Sequence, residues 1–339
     1  MQVQTAGVTT TGRSPGLDSV AIVIPCFRVR RHILEVIAGL PAQVEGAPVD
    51  LVLVVDDACP EGSGDQVRQH CHDPRVVVLR HDRNAGVGAA VVTGYREALA
   101  RGATIVVKLD GDGQMDPSLL PDLLAPLLQG EADYTKGNRF FDVEVVGRMP
   151  VQRLVGNAIL SFMSKASSGY WTLFDPTNGY TAIHAAALRR LPLDKLSPRY
   201  FFETDLLFRL NTVGAVVEDV PMPAVYGDES SNLRIGRIIG PFLAGHLRNL
   251  GKRIVYNYFL RDFSLASLQL VLGVALLGFG AVHGGYHWWR SVSTGVANPL
   301  GTIIIAALSL LAGLQLLLAF LAYDMAAPAR RPLQRRLFG

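Results

Sequence analysis

The sequence predicts an α/β fold with a mostly parallel sheet, followed by a pair of membrane-spanning helices. Three observations carry this prediction. From Val20 to about residue 112, short apolar runs rich in β-branched residues alternate with longer amphipathic ones. The residues that close several of the short runs are acidic. Further on, residues 264–282 and 299–323 contain no Asp, Glu, Lys or Arg.

The first region alternates in order: VAIVIP, RRHILEVIAGL, VDLVLVVDD, GDQVRQHC, RVVVLR, VGAAVVTGYREALARG and TIVVKLDGD. Continuous apolar runs of this kind fit strands covered on both faces, and the intervening segments have helical spacing. The alternation predicts a βαβ series. Ligands of open parallel sheets collect at the carboxyl ends of the strands. Here Pro25 closes the first strand, Asp56 and Asp57 the second, and Asp110 with Asp112 the fourth. Any one of these aspartates could be a turn or capping residue. Their repetition at one edge is not explained that way.

Beyond about residue 140 the pattern loosens. RLVGNAILSFMSK reads as a helix, and DPTNGYTAIH as a loop entering a strand. YFFETDLLFRLNTVG has apolar residues at 201, 202, 206, 207 and 210, which is helical spacing. In residues 233–262, Ile235, Ile238, Ile239, Phe242, Leu243, Leu250 and Ile254 repeat at about 3.6 residues among Arg and Lys. That segment suits a membrane interface, with a soluble amphipathic helix as the rival.

The two uncharged stretches reach the roughly 18–20 residues needed to cross a hydrocarbon core of about 30 Å. Arg248, Lys252, Arg253 and Arg261 precede them, and Arg330, Arg331, Arg335 and Arg336 follow. The connecting HGGYHWWRSVSTGVAN, read as a loop, offers only Arg290. This asymmetry predicts a multi-pass protein of the inner (plasma) membrane, with the α/β domain and both termini cytoplasmic and Trp288 and Trp289 near the far interface. Residues 1–18 have no apolar core of a secretory signal. The expected organisation is a flexible segment at 1–18, an α/β domain at 19–232, juxtamembrane helices at 233–262, two spans at 263–325 and a basic tail at 326–339.

Composition agrees with a lipid-contacting chain. Of 339 residues, 49% are hydrophobic and 18% charged, more apolar than a soluble domain needs. A net charge of +3 is too small to argue for nucleic acid, and anionic lipid head groups are the better attraction for the basic clusters. Three cysteines without a CxxC pair fit a reduced compartment.

In KLDGDGQMDP (108–117), Asp110 and Asp112 follow a strand and are separated by glycine. Such a pair suits Mg²⁺, which takes one or two protein carboxylates and completes its octahedron with water and phosphate oxygens. Gln114 adds a neutral oxygen, and Asp116 before Pro117 is either a ligand or a helix cap.

Taken in order, VIPCFR, VVDDACPEGSGD, NAGVGAAVVTGY and LDGDGQMDP resemble glycosyltransferase family 2, and within it the polyprenyl-phosphate glycosyltransferases. The resemblance covers roughly residues 20–230 and implies a GT-A, Rossmann-like catalytic domain that binds a nucleotide-diphosphate sugar. It implies that Pro25, Phe27, Asp56 and Asp57 contact the donor, that Asp110, Asp112 and Gln114 hold Mg²⁺ or Mn²⁺ on its diphosphate, and that Arg139 lies near it. Arg153 and Asn157, one helical turn apart, match positions used toward the acceptor phosphate. Asp175, Glu203 and Asp205 match acidic positions near the reaction centre, Glu203 and Asp205 on the acceptor side. Catalysis would then rest on Asp112, Arg153 and Asp175, the last orienting the acceptor or serving as a base. The resemblance also suggests a homo-oligomer, which the residues themselves do not show.

Two departures bear on the donor. Arg28 and Val29 stand where many members have Asn and Glu, and DESSN replaces GESK, losing a basic phosphate contact unless Arg234 or Arg237 supplies it.

The expected function is inverting transfer of a sugar to a membrane polyprenyl phosphate. The alternatives are a family 2 transferase extending a glycan hydroxyl and a non-catalytic nucleotide-sugar-binding scaffold. GVGAAV lacks the third glycine of a dinucleotide fingerprint, no GxxxxGK[ST] occurs, and the eight histidines show no metal-ligand spacing.

Overall fold

The computed structural model describes residues 18–141, 151–223, 235–327 and 329–337. The chain divides into two compact units, one of residues 1–250 with 329–339 and one of residues 251–328.

The first unit is built on an eight-stranded sheet. Its strands are β1 (Val20–Cys26), β2 (Gln43–Val44), β3 (Ala47–Asp56), β4 (Val76–Arg80), β5 (Ile105–Lys108), β6 (Tyr134–Asn138), β7 (Thr181–His184) and β8 (Val217–Pro221). β4, β3, β1 and β5 run parallel, as the βαβ alternation predicts. The sheet continues through β7, antiparallel to both β5 and β6, and ends with β8 parallel to β6. The short β2 folds back antiparallel on the start of β3.

Each predicted helix of this region forms, joined by one short helix at Ala185–Leu188 that was not predicted. They are α1 (Ile33–Ala38), α2 (Ser63–His70), α3 (Val87–Ala100), α4 (Leu120–Leu128), α5 (Val151–Ser168), α6 (Ala185–Leu188) and α7 (Phe202–Val213). Side chains of successive strand residues point to opposite faces. Accordingly Ile22 and Ile24 of β1 join Ile33, Val36, Leu120 and Leu124 on one face. Val23 joins Val91, Tyr95, Phe202 and Leu206 on the other. With helices on both faces the central strands β1 and β3 are largely apolar, and each large buried aliphatic contributes roughly 1.5–3 kcal/mol.

α8 (Ile235–Val255) continues the amphipathic segment and passes into a π-helical turn at Tyr256–Arg261. Within the first unit it packs through His246, whose Nδ1 is 2.8 Å from Ser167 Oγ, and Asn249, which donates to Asp205.

The second unit holds α9 (Leu265–Thr294) and α10 (Leu300–Ala326), both long and apolar enough to cross a membrane. Most of their surface is exposed, unlike the core helices of a soluble domain. They lie antiparallel along a seam of small residues. A Cβ on Gly273 would meet Leu317 at 2.9 Å, one on Gly280 would meet Leu310 at 2.9 Å, and one on Gly313 would meet the Leu277 nitrogen at 2.7 Å. Close backbone approach through glycine is how helices associate where no water drives them together. At the base of this pair Arg253 and Tyr258 both donate to the buried Asp324.

Two sequence expectations are corrected. The stretch read as a loop after residue 282 is helical to Thr294, so Trp288 and Trp289 lie on α9 and the link is residues 295–299. No proline interrupts it, and a helix satisfies its own backbone where lipid offers no partner. The basic tail, in turn, is not simply a tail. α11 (Leu333–Leu337) docks on the catalytic unit: Leu333 is buried, and the Leu333 and Gln334 amides donate to Asp133.

Candidate active site

The DGDG loop leaves β5 and closes on itself. Asp112 Oδ1 accepts from the Gln114 amide at 3.0 Å, and Asp116 Oδ1 accepts from the Ser118 amide at 2.8 Å, capping the turn that leads into α4. Asp116 is thus occupied as a cap. The two glycines serve different ends. A Cβ at Gly111 would strike Ile33 at 2.8 Å, whereas Gly113 has φ +80°, the left-handed region that favours glycine.

Around this loop is an open cleft of about 630 Å³, lined by Asp110, Asp112, Gln114, Arg139, Thr177 and Gly179 among others. It brings together the three sequence-predicted metal ligands and the predicted donor arginine. Asp110 is held from below. Its Oδ1 lies 2.9 Å from Lys108 Nζ, which also donates to the Gly179 carbonyl at 3.1 Å and lies 3.4 Å from Glu203 Oε1. Burial by itself would lower the Lys108 pKa, but Asp110 and Glu203 hold it above the usual lysine value. Burial pushes the Glu203 carboxyl up, against the pull of Lys108.

Arg139, just after β6, makes a two-pronged contact with Asp175, Nε to Oδ2 at 2.8 Å and Nη2 to Oδ1 at 3.2 Å. Asp175 is fully buried. Burial would raise its pKa, yet Lys136 and Arg139 hold it below the usual carboxylate range. Lys136 lies behind this pair. It is wholly buried, its Nζ has no hydrogen-bond partner, and burial lowers its pKa. Across the ladder it faces Asp219, which accepts from the Phe174 amide at 2.7 Å and is pushed up by burial.

A second, shallow cleft open to solvent has Phe140, Leu154, Ala158, Phe174 and Pro176 as mostly apolar walls around Asn157 and Asp175. Thr177 lines both clefts. The Arg139–Asp175 pair therefore stands between a polar, acidic cleft and an apolar one.

Other predicted residues lie elsewhere along the edge. Phe27 is exposed, with the Arg28 guanidinium 5.5 Å from its ring centre, and Pro25 is half-buried on β1. Asp56 is fully buried. Its Oδ1 accepts from the Cys59 amide at 2.8 Å, while Oδ2 packs against Gly64 and has no hydrogen-bond partner. Asp57 is engaged at both oxygens: the Ala85 and Gly86 amides donate at 2.8 Å each, and His81 Nδ1 is 2.7 Å away. Asp57 thus builds the NAG turn that starts α3. Asp205 is likewise buried and engaged, by the Ser197 amide, Arg209 and Asn249. It locks α7 to its neighbours, while Glu203, two residues earlier and so on another face of the helix, reaches the site through Lys108. Arg153 lies on α5, but its side chain is outside the described residues, as are those of Arg234 and Arg237.

Sequence reading missed Lys108, Lys136 and Asp219. The signal was available, because a lysine closes the otherwise apolar IVVK and stands within YTKGN. A charge in a strand buried on both faces needs a partner.

The sequence profile described as glycosyl transferase family 2 matches residues 21–192, just over half of the chain. The undecaprenyl-phosphate mannosyltransferase of Micrococcus luteus is 33% identical over 198 residues, covering 58% of this chain and 80% of that protein. The dolichol-phosphate mannosyltransferase of Pyrococcus furiosus is 24% identical over 302 residues, covering 86% of this chain and 78% of the relative. Among solved structures, the UDP complex of glucosyl-3-phosphoglycerate synthase from Mycobacterium tuberculosis aligns with a TM-score of 0.52 at 21% identity. That alignment covers 71% of this chain and 87% of that one. The same enzyme with Mg²⁺ and UDP aligns at 0.50 and 21% identity, covering 70% and 79%.

Proposed function

Because the chain belongs to glycosyl transferase family 2, we propose that it transfers a hexosyl group, with inversion, from a nucleotide-diphosphate sugar to a membrane polyprenyl phosphate. The observation that carries this reading is the pairing of an acidic cleft with an apolar one across the Arg139–Asp175 contact. A soluble diphosphate donor suits the first, and an isoprenoid phosphate with an apolar tail suits the second. The names of the relatives from Micrococcus luteus and Pyrococcus furiosus agree.

Asp110, Asp112 and Gln114 would hold Mg²⁺ or Mn²⁺. They fit it, being oxygen donors at one cleft, two of them carboxylates, in a number that leaves room for diphosphate and water. When bound, the ion neutralises charge on the departing diphosphate. The exposed Phe27 would receive the base beside Pro25, and the buried Asp56 would act through the turn it holds at Cys59. Asp57 acts on the donor through the loop it builds.

Asp175 bears on the acceptor. A general base works best with a pKa near the operating pH, and a carboxylate held low and bridged twice by Arg139 is a poor one. A phosphate monoester is already anionic and needs placement more than deprotonation. This favours a phosphate acceptor over a glycan hydroxyl, with Asp175 orienting Arg139, and Arg153 and Asn157 holding the phosphate.

The spans would tether the enzyme to the bilayer that holds such an acceptor, with residues 19–232 and the 326–339 segment cytoplasmic. Incubating membranes that contain the protein with labelled GDP-mannose, UDP-glucose or UDP-N-acetylglucosamine tests the reading. Label entering the organic phase in mild-acid-labile form is expected from one donor. Acid-stable label on larger glycan would instead establish the hydroxyl acceptor.

A further inference from the structure

The motif DGDGQ is preceded, two residues earlier, by a buried lysine. Lys108 pairs in register with Thr181 on β7, which pairs in turn with Lys136 on β6. The strand end that delivers Asp110 to the cleft thus lies over an internal row of cations. Lys108 takes one oxygen of Asp110, and only Oδ2 remains for the cleft. The fit is tight. A Cβ added at Gly179 would lie 2.3 Å from Lys108 Nζ and 2.9 Å from Asp110 Oδ2. Glu203 draws on the same ammonium from α7, 3.4 Å away. Among the described residues no group of three or more His, Cys, Asp or Glu is arranged to hold a metal.

We infer that Lys108 is a positioning residue that sets how strongly the DGD carboxylates hold a divalent cation, so that the ion binds firmly only together with the nucleoside diphosphate. The inference rests on the metal role proposed above. An ammonium bound to one oxygen of Asp110 repels a cation approaching the other, and this repulsion acts at short range in a partly desolvated site. It also fixes the carboxylate for one-oxygen ligation. Glu203 works in the opposite sense by sharing the ammonium charge. The diphosphate supplies the negative charge and the oxygens that the protein withholds, which couples metal entry to donor entry.

The test is a Mn²⁺ titration of the full-length protein in detergent, with free ion followed by electron paramagnetic resonance, with and without UDP or GDP. Wild type is expected to bind Mn²⁺ weakly alone and about tenfold or more tightly with the matching nucleotide. Lys108→Met is expected to bind the ion alone about tenfold or more tightly than wild type and to lose most of the nucleotide coupling. Lys108→Arg, which keeps the charge, should stay close to wild type. Glu203→Gln, read at mildly alkaline pH, should weaken Mn²⁺ binding alone, and it tests the idea even if Lys108→Met does not fold. A merely structural role would make both neutralising variants bind less, so shifts in the same direction, or none, would overturn the role of Lys108. Absence of Mn²⁺ binding by wild type with either nucleotide would overturn the metal reading itself.

Discussion

At the residue scale, the acidic positions of the sheet edge divide into two kinds that look alike in sequence. Asp110 and Asp112 face a cleft, whereas Asp57 and Asp205 are engaged within the fold by backbone amides and neighbouring side chains. A sequence shows that a carboxylate ends a strand, but not whether amides from a loop some 28 residues on will reach it. Asp112→Ala should therefore reduce transfer by about 100-fold or more with the fold largely intact, because it removes a proposed metal ligand whose side chain is part-exposed at the cleft. Wild-type turnover at ordinary Mg²⁺ would refute the assignment. His246 offers a pH test. Burial beside Phe201 and Phe242 pushes its imidazole down to about 4. Below the ordinary value of about 6.5, the unfolded chain takes up a proton that the folded one refuses. Stability is thus intact above that pH and falls between about pH 6.5 and 4, by up to ~3 kcal/mol. Melting curves of wild type and His246→Asn across this window should converge as pH falls, and parallel curves would exclude the role.

At the element scale, the parallel half of the sheet was legible because each strand there is a continuous apolar run, which only two-sided burial demands. β6 and β8 were harder, since YTKGN and VEDVP carry charges that make sense only beside Asp175, Arg139 and one another. α9 outran its predicted end because twelve further residues, including Trp288 and Trp289, continue the helix without a proline. α11 had the least sequence signal. Its anchor is Asp133, which accepts from the Val216, Leu333 and Gln334 amides at once. Asp133→Ala should free this segment, costing about 1–3 kcal/mol. Trypsin cleavage after Arg335 or Arg336, timed by mass spectrometry, is expected to quicken about tenfold, and an unaltered rate would show that Leu333 and the Gln334 and Arg335 side-chain bonds hold α11 without Asp133.

At the scale of the whole molecule, the docked α11 constrains topology. Residues before 250 and after 329 share one compact unit, so a hairpin that crosses a bilayer must leave and return on the same side. By the orientation proposed above, that side would be the cytoplasm, where flanking arginines prefer to lie. With Cys71→Ser as background, a cysteine at Gly295 should react with an impermeant maleimide added outside intact cells, while one at Ala329 should react only after lysis. Labelling of both from one side would contradict a membrane-crossing hairpin. The Arg253–Asp324–Tyr258 contact has a related use, tying the end of α8 to the far end of α10 within the second unit.

By itself the sequence determined the βαβ order, the acidic edge, the DGDG turn and the two long apolar helices, because each follows from local periodicity, turn chemistry or length. Only the tertiary structure decided which carboxylates remain available, that Lys108 and Lys136 underlie them, and that α11 returns to the catalytic unit. These depend on contacts between residues far apart in the chain, where burial and pairing set the energy of a charge and adjacent sequence carries no record of them.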